Sequence, residues 1–160
     1  MKHYTGVGSR STPQNIQQIM KAIALRLAGN NIVLRSGGAS GADTAFESGC
    51  AKGPKEIYLA RDCTPEAMAV AARFHPAWHA CNDFARKLHG RNAFQVLGKM
   101  LNTPSKCLIC WTPDGCTSHT TRSRATGGTG TAISIAEAYN VPIYNLAVSK
   151  HLHFWQEALG

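Results

Sequence analysis

Two glycine-rich stretches carry the clearest chemistry in the chain: "SGGASGAD" at residues 36–43 and "GGTGT" at residues 127–131. Each sits between an apolar run and the start of a helical pattern, so each reads as a strand-to-helix turn. Unpaired backbone N–H groups and the helix dipole favour an anion at such a turn. Glycine lets the backbone come within hydrogen-bond reach of a phosphate. "TGVGSR" at residues 5–10 is a third turn of this kind. The residues offered to a phosphate are Gly6, Gly8, Ser9 and Arg10, then Ser36, Gly37, Gly38, Gly41 and Asp43, then Gly127, Gly128, Thr129, Gly130 and Thr131. Any α/β protein needs turns with a glycine, so the weight lies in three loops falling on one edge of a sheet. No Gly-Lys-Ser/Thr follows either cluster and the dinucleotide spacing is absent, so neither ATP hydrolysis nor hydride transfer is expected.

The elements that hold these loops follow from the pattern. "HYTGVGS" reads as a strand, and "TPQNIQQIMKAIALRLAGN" as a helix whose apolar residues Ile16, Ile19, Met20, Ile23 and Leu27 recur at helical spacing. Thr12 is the expected cap, with Pro13 at the first helical position. "NIVLRS" is a second strand, "ADTAFESGCAKG" a helix ending at Gly53, and "KEIYLA" a third strand. Residues 65–101 are helical in pattern with a break at "FHPAWH", because Pro76 and its predecessor resist helix. "SKCLICWT" is apolar enough to be a central parallel strand. "PDGCTSHTTRSRATGG" is poor in large apolar residues, so residues 113–126 are expected to form a mobile loop or weak hairpin. A helix, a last strand at "VPIYNLA" and a closing helix at "SKHLHFWQEAL" complete a single domain. The fold class is α/β, a Rossmann-like doubly wound, mostly parallel sheet flanked by helices.

At 160 residues and 44% apolar composition, the chain suits one domain with a full core. No membrane-spanning run or leader is apparent, which implies a soluble, cytoplasmic protein with no membrane partner. Six scattered cysteines suit reduced thiols. The formal charge of +8 points to an anionic partner, a phosphorylated small molecule or nucleic acid.

"SGGASGAD" resembles the "SGGA-x-GAD" loop of the DNA-processing protein A family, and "GGTGT" resembles the "PGG-x-GT-x-x-E" loop of the LOG phosphoribohydrolases. "LHGRNAFQVLGKMLNTPSKCLICW" is similar to the LOG stretch that holds a ligand-binding Arg. Along the chain the glycine loop at 36–43, the Arg91 segment and the loop at 127–131 follow one another in the family's order, and together they resemble the SLOG superfamily of nucleotide-binding proteins over most of the chain. The resemblance implies a nucleotide-type phosphorylated ligand, a homodimer or higher oligomer, no separate cofactor, and ligand roles for Arg91 and Asn92. Asn92 stands where the family has Lys, and Ser134 where LOG enzymes have their catalytic Glu. Cleaving an N-glycosidic bond needs a carboxylate near the ribose. Glu47 and Glu137 are the candidate replacements, whereas Asp43 reads first as a helix-dipole or capping partner.

Three functions remain open on this reading. One is a nucleotide-binding module. The second is a nucleoside-phosphate N-glycosidase using Glu47 or Glu137. The third is a single-stranded DNA-binding recombination mediator resembling DNA-processing protein A. Arg35, Arg122 and Arg124 are further phosphate candidates. His75, His79 and Cys81 in "HPAWHAC" have ligand chemistry, but Pro76 disrupts the helix they would share, so no metal is expected. The cysteines of "CLIC" point to opposite strand faces. Trp111 reads as core, with stacking on a base as the alternative.

Overall fold

The structure, a computed structural model, describes residues 2–160. Five short strands form one sheet: β1 His3–Gly6, β2 Val33–Ser36, β3 Lys55–Ile57, β4 Leu108–Cys110 and β5 Ile143–Asn145. Their order is β3-β2-β1-β4-β5 and every pairing is parallel, with Thr5 opposite both Arg35 and Leu108. Burial explains the order. β2 and β4 are buried throughout and lie inside, whereas β3 and β5 are partly exposed and form the edges.

Six helices cover the two faces: α1 Gln14–Gly29, α2 Ala42–Gly49, α3 Pro65–Ala72, α4 Asp83–Leu97, α5 Thr129–Ala138 and α6 Ser149–Leu159. Strand side chains alternate between faces, so each face gets its own core. Tyr4, Leu34 and Ile109 pack with Ile16, Met20, Ile23 and Phe46 from α1 and α2, and α6 adds Leu152 and Trp155. Leu108 and Cys110 pack on the other face with Ala67, Phe94, Leu97 and Ile133 from α3, α4 and α5. Each fully buried side chain of this size contributes about 1.5–3 kcal/mol. The fold is the expected doubly wound one, and wholly parallel. No helix among the described residues is long and apolar enough to cross a membrane.

The chain runs outward from β1 to β3, then crosses back to place β4 on the other side of β1. The loops leaving β1 and β4 therefore diverge, opening a crevice beyond their carboxyl ends.

Three local expectations are corrected. Thr12 does not cap α1; its hydroxyl donates to the Ser9 carbonyl at 2.6 Å, and Pro13 precedes the helix without a side-chain cap. α2 ends at Gly49, because the chain turns at Cys50 and Gly53 donates to the Cys50 carbonyl. Residues 113–126 form no hairpin but two 3-10 turns, His119–Thr121 and Arg124–Thr126. The Asp114 carboxylate organises them by accepting from the Thr112, Ser123 and Thr126 hydroxyls and the Cys116 N–H.

Candidate ligand crevice at the sheet switch point

The crevice between β1 and β4 is a cavity of about 510 Å³, within the range of small-molecule sites. Gly8, Ser9 and Arg10 line it from the β1 loop, Asp43 from α2, Arg91 and Asn92 from α4, and Gly127, Gly128 and Thr129 from the turn into α5. Arg10 is exposed, Arg91 half-buried and Asp43 buried.

The loops interlock. Gly41 adopts φ +85, and a Cβ there would lie 2.7 Å from the Arg10 Cα and from the Ser9 carbonyl oxygen. Ala42 donates its N–H to that same Ser9 carbonyl at 3.3 Å, so the first two loops pack backbone to backbone. Gly37 lies under Arg91: its carbonyl accepts from Arg91 Nη1 at 2.7 Å. A Cβ on Gly37 would meet Arg91 Cζ and Asp43 Oδ2, each at 2.9 Å.

The remaining loop residues support the cavity from outside its lining. Ser36 donates to the Gly6 carbonyl at 2.6 Å, tying β2 to β1 beneath it, and Gly6 itself is pressed against Phe46. Gly38 is exposed on the loop facing Leu59. Gly130 backs onto Arg122, and the Thr131 hydroxyl bonds His89 Nδ1 at 3.1 Å and accepts from Arg122 Nη2 at 3.4 Å. Asn92 donates to the Gly128 carbonyl at 3.1 Å and thereby holds the α5 turn against α4.

Glu47 and Glu137 lie outside this lining. Glu47 reaches Lys55 at 3.7 Å, and exposed Glu137 accepts from the His119 N–H at 3.2 Å. The carboxylate in the cavity lining is Asp43. Burial pushes its pKa up to about 6, against Arg91, the Ala39 and Gly37 N–H groups and Arg10, which all favour the charge.

Several donors in the cavity's wall lack partners. The backbone N–H groups of Gly8, Arg10, Gly128 and Thr129 have no acceptor among the described residues. Arg91 Nε and Gln95 Nε2 are buried donors without an acceptor, and Gln95 Oε1 is a buried acceptor without a donor, which is uncommon in a folded interior. With Arg10 and Arg91 beside a single carboxylate, the crevice carries an excess of positive charge and of unpaired donors.

Three polar lining residues, His89, Gln95 and Thr126, are not among the candidates that the sequence offers. His89 and Gln95 belong to a stripe on α4, with Ala85, Leu88 and Asn92, at the spacing of one helix face. That spacing was visible in "ARKLHGRNAFQ". Burial, followed by the neighbouring His75 and then the charges of Arg122 and Arg91, lowers the His89 pKa to about 4, so its ring is neutral at pH 7.

Of the other arginines, Arg122 and Arg124 line a neighbouring cavity. Arg35 is sealed in the core, donating to the Thr103 carbonyl at 2.6 Å and pairing with Glu56 at 3.3 Å. Trp111 packs partly buried on the α1 side of the sheet, and all six cysteines are free. Ligand-type atoms do converge near the crevice, but from His75, Cys81 and His89, within 4.8 Å of one another, not from His79. His75 Nδ1 accepts the Ala77 N–H at 3.0 Å, so its Nε2 carries the hydrogen and faces the Cys81 sulfur at 3.8 Å. A protonated Nε2 beside the Arg122 charge does not fit a cation as it stands.

No protein-family model, curated protein or solved structure matches this chain.

Proposed function

We propose that the crevice binds a nucleotide-type phosphorylated ligand, with a phosphate against the glycine loops and the Arg91 guanidinium. The observation that carries this reading is the convergence of three glycine loops on one cavity at the sheet's switch point, where Arg91 and four backbone N–H groups have unused donors. Membership of the SLOG superfamily, proposed on the same motifs, agrees with that placement, as does the charge of +8. Calorimetric titration with AMP and other nucleoside monophosphates is the direct test. Binding that Arg91→Gln weakens supports the reading; no binding by any of them ends it.

A second reading has one observation in its favour. Asp43 is a cavity carboxylate with a pKa near 6, within the working range of a general acid–base group. In N-glycosidic hydrolysis the C1′–N bond would break with its electron pair going to the base. Water would then add its oxygen to C1′, and Asp43 would take the water's proton and pass it to the departed base, which leaves neutral while the Asp43 carboxylate is restored. Release of free base from a nucleoside monophosphate, abolished by Asp43→Asn with binding retained, would establish it.

A further inference from the structure

Next to the nucleotide crevice lies a second cavity, of about 580 Å³, lined by His75, Arg122, Ser123 and Arg124. The two cavities share His89, Gly127 and Gly128 in their linings, so these residues form a ridge between them. The N–H of Gly128, on that ridge, and that of Thr129 beside it have no acceptor among the described residues.

The second cavity is electropositive by construction. No carboxylate lines it among the described residues. Arg122 is held by neutral acceptors alone: Nη1 donates to the Phe74 carbonyl at 2.9 Å and to Ser134 Oγ at 3.1 Å, and Nη2 to Thr131 Oγ1 at 3.4 Å. Its charge is therefore positioned but not neutralised. Arg124 is exposed and forms no ion pair among the described residues. The hydrogen that His75 carries on Nε2 faces the Cys81 sulfur, so the charge of this cavity comes from the two arginines. The nearby Asp114 carboxylate is occupied behind the turn, where it holds the Ser123 and Thr126 hydroxyls.

We propose that this second cavity is an anion subsite continuous with the crevice, and that the ligand is a nucleotide carrying a further phosphoryl group that lies across the Gly127–Gly128 ridge. The proposal rests on the nucleotide reading above and narrows its ligand class. One phosphate needs only one of the two donor sets. Two arginines kept free of carboxylates beyond the ridge are accounted for by a second anion.

The test is calorimetric titration with AMP, ADP and the 5′-phosphorylated dinucleotide pApA, which places its second phosphate on a second nucleoside. ADP or pApA is expected to bind about tenfold or more tightly than AMP. Arg124→Gln, and independently Arg122→Gln, should reduce that ratio at least threefold. A gain with ADP assigns the second anion to the phosphate chain, and a gain with pApA alone assigns it to a second nucleotide. AMP binding with no gain from either ligand overturns the second subsite alone, as does a ratio that both variants leave intact. Failure of all three ligands to bind overturns the nucleotide reading and this proposal together.

Discussion

Asp43 and His89 line the same cavity and respond to pH in opposite senses. Asp43 titrates at about 6 when folded and at 3.8 in the reference state. Between those values the unfolded chain releases a proton that the folded protein retains, so Asp43 makes stability fall as pH rises from about 4 to 6. Its burial makes this on the order of 3 kcal/mol. His89 titrates at about 4 when folded against 6.5 in the reference state. Over that interval the unfolded chain holds the extra proton, so His89 makes stability rise with pH and its contribution is lost as pH falls below 6.5. The two opposing slopes mask each other in the wild-type profile. Urea unfolding from pH 4 to 7 should separate them: Asp43→Asn exposes a profile rising with pH, and His89→Gln one falling with pH. A variant profile parallel to wild type would remove the corresponding assignment. Arg91→Gln removes the charge-assisted donor of the crevice and should weaken nucleotide binding by roughly 1.5–3 kcal/mol, about 10- to 100-fold, by calorimetry.

The turn between β4 and α5 is the element least legible in the sequence, and the one on which the crevice depends for a wall. Its lack of large apolar residues suggested a mobile or hairpin segment, because hydrophobic periodicity is silent where packing is polar. What shapes it is one carboxylate. Burial raises the Asp114 pKa, but hydrogen bonds from the Thr126, Ser123 and Thr112 hydroxyls outweigh it and hold the pKa below the usual range. Asp114→Ala frees those donors. It should cost about 1–3 kcal/mol and speed proteolytic cleavage within residues 117–124, whereas unchanged cleavage would show that the turn holds without it. The helices and strands were legible because "NIQQIMKAIALRL" and "VLRS" state their period and burial directly. The glycine loops were legible through backbone chemistry. On α4, Arg91 and Asn92 stand in the motif that carries the resemblance, whereas His89 and Gln95 stand out only through the helical spacing of the whole face. Thr12 shows the limit of local rules: its hydroxyl had two acceptable uses, and the tertiary path of the Ser9 carbonyl selected the one that leaves α1 uncapped.

On the scale of the whole molecule, the crevice joins the two halves of the doubly wound sheet. Its walls come from α2, which belongs to the core on one face, and from α4 and α5, which belong to the core on the other. A ligand seated there contacts both layers, and its binding free energy adds to the stability of the folded domain as one unit. At a concentration 100 times Kd the gain is about 2.7 kcal/mol, and in a domain of this size each kcal/mol raises Tm by about 2–4 °C. A nucleotide at that excess should therefore raise Tm by about 5–10 °C in a single transition. Because the attraction is between an anion and the cations around the cavity, raising NaCl from 50 to 500 mM should shrink the shift without abolishing it, as the buried contacts to Arg91 are screened less than surface charges. Single-stranded DNA would behave differently: each phosphate held along a basic surface steepens the fall of log affinity with log salt by about 0.7. A shallow salt slope for the nucleotide, together with oligonucleotide binding that vanishes at 200 mM salt, is what a small-molecule crevice requires. A steep slope for both ligands would instead make the charge of +8 a nucleic-acid surface and the crevice one contact within it.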